Sequence, residues 1–277
     1  MQKELQLRIL SGIVMAAVVL VATWLGGIPF QVLAVLIALL VYYEWSTITG
    51  LAANDQFGNS FGWLSQAVVA GLVLTGAIEL ALIVLAGAAV LAALWTVFLR
   101  KSWWLPGGIF YAGLVGISMS AIRGDNYIGL IAMLFVFAIV WGTDILAYFV
   151  GRAIGGPKLA PRISPGKTWS GAIGGTVAGV AAGVAVFMMS FSLDGLKIPL
   201  IALLLSVSSQ IGDLFESFIK RRFGVKDSSK LIPGHGGVMD RVDGLVFACF
   251  AAFLLAVADA LMSGGLDSSP GAFLLGL

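Results

Sequence analysis

Apolar runs of about 18 residues or more recur along the whole of this chain, the length a helix rising about 1.5 Å per residue needs to cross roughly 30 Å of hydrocarbon. Hydrophobic residues make up 60% of it and charged residues 11%, against about 25% charged in an ordinary soluble domain. Such a chain cannot cover itself with polar surface, so the bilayer is its solvent. Lipid offers no partners for backbone N–H and C=O groups, and long runs without strict alternation predict helices, not the strands of a barrel. The expectation is an all-α, polytopic integral membrane bundle of about nine transmembrane helices. They fall near residues 9–29, 31–49, 61–77, 79–99, 105–122, 127–150, 170–192, 198–219 and 243–263. No linker or internal repeat is visible. Residues 1–120 would supply about five helices, and residues 121–277 the remainder with two polar loops, 151–169 and 220–243.

The distribution of charge orients the bundle. With the N-terminus in the cytoplasm, 14 of the 16 Lys and Arg residues fall inside, and Arg123 and Lys197 fall outside; the positive-inside rule favours that arrangement, with the C-terminus external. The run behind Lys3 and Arg8 is long for a signal-peptide core and reads as a retained first span. Cys249 is the single cysteine, which rules out an intrachain disulfide and a CxxC metal site. Gly171, Gly175, Gly179 and Gly183 recur every four residues, a small-residue stripe suited either to internal packing or to a dimer contact.

Both polar loops are basic, glycine-containing and proline-punctuated. Basic loops also set topology and attract anionic lipid, but here the cations are accompanied by acids that topology does not require. Asp213 lies inside the eighth span, where an ionised side chain is costly without a partner or a function. At helical spacing it shares a face with Glu216, Ser217 and Lys220, and Lys220 is one candidate ion-pair partner. Asp144, in the sixth span, is a second intramembrane acid. Asp240 and Asp243, at i and i+3 where the loop meets the ninth span, suit either Mg²⁺ binding or helix capping. Pro233-Gly234-His235-Gly236-Gly237 could present backbone N–H groups to a phosphate. His235, the lone histidine, reads equally as a phosphate donor or a solvated loop residue.

The run Ser217-x-x-Lys220-Arg221-x4-Lys226-Asp227-x5-Pro233-Gly234-His235-Gly236-Gly237-x2-Asp240-Arg241-x-Asp243 resembles the signature of the phosphatidate cytidylyltransferase (CDP-diacylglycerol synthase) family. Asp144-x-x-Ala147-Tyr148-x-x-Gly151-Arg152 and Ile163-Ser164-Pro165-Gly166-Lys167-Thr168 resemble a second stretch of the family, differing at Gly166 and Ser170, where Lys and Glu are usual. The resemblance covers the C-terminal half; residues 1–120 match only as generic spans. It implies transfer of CMP from CTP to phosphatidic acid, giving CDP-diacylglycerol and pyrophosphate, by a Mg²⁺-dependent homodimer in the bacterial inner membrane, with the site on the cytoplasmic side. A second, monovalent cation stays open, and no nucleic acid is involved. Residues 121–277 would then be the catalytic region.

Set beside the resemblance, the residues suggest Asp213, Asp240 and Asp243 as metal ligands. Lys220, Arg221, Lys226, Lys167 and Arg241 would clamp phosphates, with Asp227 beside them in the catalytic loop. Asp144, Arg152, Ser164, Lys167, Thr168, Ser217, His235, Gly236 and Gly237 would bind substrate. The rival readings are a CTP-dependent polyprenol or phytol kinase, which would attack the γ-phosphorus, and a secondary transporter, whose acids would lie near the midplane.

Overall fold

The computed structural model describes residues 2–263 and 269–277, with side chains described for 9–262 and 269–277; the side chains of Lys3 and Arg8 lie outside the described residues. Eight helices among these residues are long and apolar enough to cross a membrane, and Ile9–Leu25 forms a shorter apolar stretch within the first helix. The chain is an all-α polytopic membrane protein, as its apolar runs predict. It resolves into two compact units, residues 1–120 with 223–241, and residues 121–222 with 242–277.

The first unit contains α1 (Gln2–Leu25), α2 (Gly27–Ile48), α3 (Leu51–Asn54), α4 (Gln56–Leu74), α5 (Ile78–Leu99) and most of α6 (Trp104–Arg123). The break between α1 and α2 falls at Gly26, whose φ of 67° ends the helix, a few residues earlier than hydropathy predicts. Asp55 starts α4 by accepting from Gly58 N at 3.3 Å, so that helix begins ahead of its apolar run. Close approaches hold the unit together. A Cβ at Gly108 would strike the Trp45 indole, and one at Gly62 would strike the Tyr42 hydroxyl. The polar atoms carried inside by these large side chains are satisfied across helices: Trp45 Nε1 donates to Trp104 O at 2.8 Å, and Gln66 Nε2 to Ile109 O at 2.9 Å. Segment 223–241 joins this unit, with Phe223 edge-on to Trp104 at 5.0 Å.

The second unit contains α7 (Tyr127–Ile154), α8 (Trp169–Met188), α9 (Lys197–Arg222), α10 (Met239–Ser263) from Val242 onward, and α11 (Pro270–Leu274). The glycine stripe of α8 packs on α7. A Cβ at Gly171 would stand 2.6 Å from Ala147 O, and one at Gly175 2.6 Å from Thr143 O. Of the two uses open to the stripe, internal packing is the one found. Asn126 caps α7 by accepting from Gly129 N at 2.8 Å, and Thr168 caps α8 through Gly171 N at 3.1 Å. Such side-chain oxygens satisfy amides that lack intrahelical partners.

Residues 151–169, expected as a loop, contain a two-stranded antiparallel hairpin, β1 (Lys158–Ala160) with β2 (Ser164–Thr168), pairing Lys158 with Thr168 and Ala160 with Ser164. Pro157, Pro161 and Pro165 hide it from propensity, because proline is tolerated only where a ladder N–H is not needed.

Candidate active site

In the second unit the acids of three helices share one neighbourhood. Asp144 of α7 lies within electrostatic range of Asp243, Asp213 and Lys167. Lys167, near the end of β2, forms an ion pair with Asp213 of α9. Asp213 Oδ1 also faces Ser217 Oγ at 3.5 Å. Asp243 accepts from Gly244 N at 2.8 Å and hydrogen-bonds the Glu216 side chain. Glu216 in turn holds Lys220 Nζ at 2.9 Å, so Lys220 pairs with Glu216, while Asp213 takes its cation from the hairpin. Two glycines let these helices approach: a Cβ at Gly212 would strike Asp243 O, and one at Gly244 would stand 3.3 Å from Ser209 O.

Polar side chains also join these helices in pairs. Thr143 Oγ1 and Ser206 Oγ are 2.7 Å apart, and Gln210 Nε2 donates to Thr176 Oγ1 at 2.8 Å. The basic residues of the hairpin region are divided in use. Arg221 Nε donates to Ile163 O at 3.4 Å, tying α9 to the turn, and Arg152 reaches the Tyr148 hydroxyl at 2.8 Å. Thr168 has its capping role, Ser164 lies in β2 opposite Ala160, and Ser170 donates to Gly155 O. Nothing stands within 4 Å of a Cβ built at Gly166.

In the first unit the glycine-rich segment folds around two other carboxylates. Asp240 Oδ2 accepts from Ser228 N at 2.8 Å, Ser228 Oγ at 2.9 Å and Gly237 N at 2.8 Å. Gly236 has φ 85° and a Cβ there would stand 2.8 Å from Asp240 Oδ2, so both backbone conformation and space demand glycine. His235 Nδ1 faces Ser11 Oγ of α1 at 2.8 Å, and Arg241 Nε donates to His235 O at 3.1 Å. Lys226 and Asp227 are exposed.

One expectation changes here. The N–H groups of His235, Gly237, Val238 and Met239 donate to Ile232 O, Asp240, Glu44 and Glu44 respectively, so the segment spends these amides on its own fold and does not hold them out to a phosphate. Asp240 Oδ2 is taken by the segment's own donors, and one lysine, Lys167, pairs with Asp213 and acts on the charge of Asp243.

Glu44 is the residue that sequence reading passed over. It is fully buried in α2, and its signal was legible: an acid inside the apolar run Val41-Tyr42-Tyr43-Glu44-Trp45.

Eight helices long and apolar enough to cross a membrane among the described residues, with Asp213 and Glu216 within them ion-paired to lysines, define an integral membrane protein with a polar site among its helices. Residues 6–258 match the profile of the Cytidylyltransferase family, and the chain belongs to that family. It is 49% identical over 256 residues to the phosphatidate cytidylyltransferase of Brucella abortus biovar 1 (strain 9-941), spanning 91% of this chain and 93% of that protein. It is 32% identical over 271 residues to the phosphatidate cytidylyltransferase of Bacillus subtilis (strain 168), spanning 92% and 98%.

Proposed function

We infer that this protein transfers the cytidylyl group of CTP to phosphatidate in the membrane, giving CDP-diacylglycerol and pyrophosphate. The observation that carries this reading is the match along nearly the whole chain to phosphatidate cytidylyltransferases. The site chemistry agrees with it. A lipid phosphate monoester has a second pKa of about 6 and is already largely dianionic at neutral pH, so no base has to remove a proton. One of its oxygens forms the new bond to the α-phosphorus of CTP, the bond from that phosphorus to the bridging oxygen breaks, and pyrophosphate leaves with the electron pair. What the protein must supply is alignment of two anions and neutralisation of charge. Lys167, Lys220, Arg221 and Lys226 are the side chains we assign to that work.

A divalent cation fits the acids present. Mg²⁺ binds through one or two carboxylates together with substrate phosphates. Asp213 and Asp243 would hold it, with Asp144 beside them; bound there, it would offset charge on the triphosphate. Asp240, assigned to the same ion from sequence, is left to the loop by its hydrogen bonds. We place the site on the cytoplasmic side of a bacterial inner membrane on the distribution of Lys and Arg. A homodimer would need a surface other than the α8 glycine stripe, which α7 fills.

The test is purified protein in detergent micelles containing phosphatidic acid. Pyrophosphate release should require both CTP and the lipid and should stop on chelation of divalent cations. Release without lipid would contradict the reading. The kinase and transporter alternatives are not favoured by the full-length match.

A further inference from the structure

Among the described residues, the buried carboxylate of Glu44 is answered by hydrogen bonds and by no cation. Three donors among the described residues converge on it, Ser229 Oγ at 2.5 Å and Val238 N at 2.8 Å on Oε1 and Met239 N at 2.6 Å on Oε2, and Ser228 Oγ, 3.1 Å from Oε2, shares its single proton between Glu44 and Asp240. A carboxylate offers about four lone-pair positions, so these three donors and the shared hydroxyl answer both of its oxygens. Val238 N and Met239 N stand at the start of α10, where amides lack intrahelical partners and the helix dipole favours negative charge. Ser228 Oγ lies within hydrogen-bonding distance of Asp240 Oδ2 as well, so Glu44 and Asp240 grip the segment from two sides. A Cβ at Gly237 would strike both Ser228 Oγ and Glu44 Oε1, which makes glycine a condition of the arrangement.

We propose that Glu44 is a positioning residue for cytidylyl transfer: through Ser228, Ser229, Val238 and Met239 it clamps segment 227–241 and the first turn of α10 in the conformation that turnover requires. The inference rests on the functional reading above. Its physical basis is specificity of shape. An apolar side chain at this place would take the acceptor from two helix-terminal amides and the Ser229 hydroxyl, while Ser228 Oγ would keep Asp240. Glutamine would turn an N–H₂ toward either Val238 N or Met239 N, whichever way its amide is oriented. With glutamine in either orientation one amide of the turn is released and the segment loosens.

The experiment combines kinetics with amide hydrogen exchange on the full-length protein. Glu44→Gln should lower kcat about tenfold to a hundredfold, the effect of a small misplacement of reacting groups, with KM for CTP and for phosphatidic acid changed less than about twofold. Exchange at Val238 and Met239 should accelerate about tenfold or more while peptides of α4 and α5 keep their rates. Ser229→Ala, which removes one donor and no charge, should shift both readouts in the same direction by a few-fold. The double variant should be no slower than Glu44→Gln, whereas general destabilisation would add the two losses. Wild-type kcat in either folded variant, unchanged exchange at Val238 and Met239, or additive losses would overturn the proposal. If Glu44→Gln fails to fold, Ser229→Ala decides alone on kcat and exchange. If the unmodified protein forms no CDP-lipid, the fault lies with the functional reading, and the exchange arm still decides whether Glu44 holds the segment.

Discussion

Lys167, near the end of the second hairpin strand, is ion-paired with Asp213 inside α9. The pair joins a polar connection to an intramembrane acid, and both side chains are about two-thirds buried, with 28% and 31% of their surface exposed. Asp144 and Asp243 stand close enough for their charges to act on the same lysine.

Removing the lysine should therefore impair catalysis more than folding. Lys167→Ala is expected to lower kcat/KM for CTP about a hundredfold, the order lost with one charge-stabilising donor, and Lys167→Arg should recover part of it. Asp213→Asn and Asp243→Asn should each abolish turnover while leaving monodisperse protein in detergent. Steady-state kinetics with gel filtration checks all four variants; near-normal activity in both Asn variants would remove these acids from the mechanism.

The α7–α8 contact should be intolerant of any side chain. Gly175→Ala places a methyl 2.6 Å from Thr143 O, below real carbon–oxygen contact, and the neighbour is backbone that cannot swing aside. A loss of about 1–3 kcal/mol is expected, as for other overpacked sites. Thermal unfolding followed by tryptophan fluorescence would show it, with Gly166→Ala, whose added Cβ meets nothing within 4 Å, as the unaffected comparison.

Hydropathy made the spans legible because a helix that crosses lipid must satisfy its backbone within itself and stay apolar over a fixed length. The ends were less legible, since single residues set them: Asp55, Asn126 and Thr168 as caps, Gly26 as a break. Asp213 stood out as an acid in an apolar run, and its lysine partner did not, because tertiary folding brings Lys167 to it from the hairpin. Glu44 carried the same signal as Asp213, yet its meaning depends on donors 184 to 195 positions further along the chain. The amides of the glycine-rich segment looked open to phosphate for the same reason: their acceptors, Glu44 and Asp240, are chosen by the fold.

Loading of CTP gives a further expectation. The nucleotide is soluble and polyanionic, whereas phosphatidic acid arrives within the leaflet, so the exposed cations of the hairpin region should guide the nucleotide selectively. Neutralising Arg152, Lys158 and Arg162 together should raise KM for CTP severalfold and flatten its dependence on ionic strength, with a smaller effect on phosphatidic acid. Initial rates over a salt series measure this. Equal losses for both substrates would mean that these residues bind anionic lipid and do not steer CTP.

Transfer of the α-phosphorus of CTP to a lipid phosphate can be followed with position-labelled nucleotide. Purified protein should be given phosphatidic acid and CTP labelled at either the α- or the γ-phosphate, and the lipid product separated from the aqueous phase. Label from the α-position should appear in CDP-diacylglycerol in proportion to pyrophosphate formed, and label from the γ-position should remain in pyrophosphate. Transfer of γ-label to lipid, or α-label leaving as CMP with no lipid product, would contradict the account.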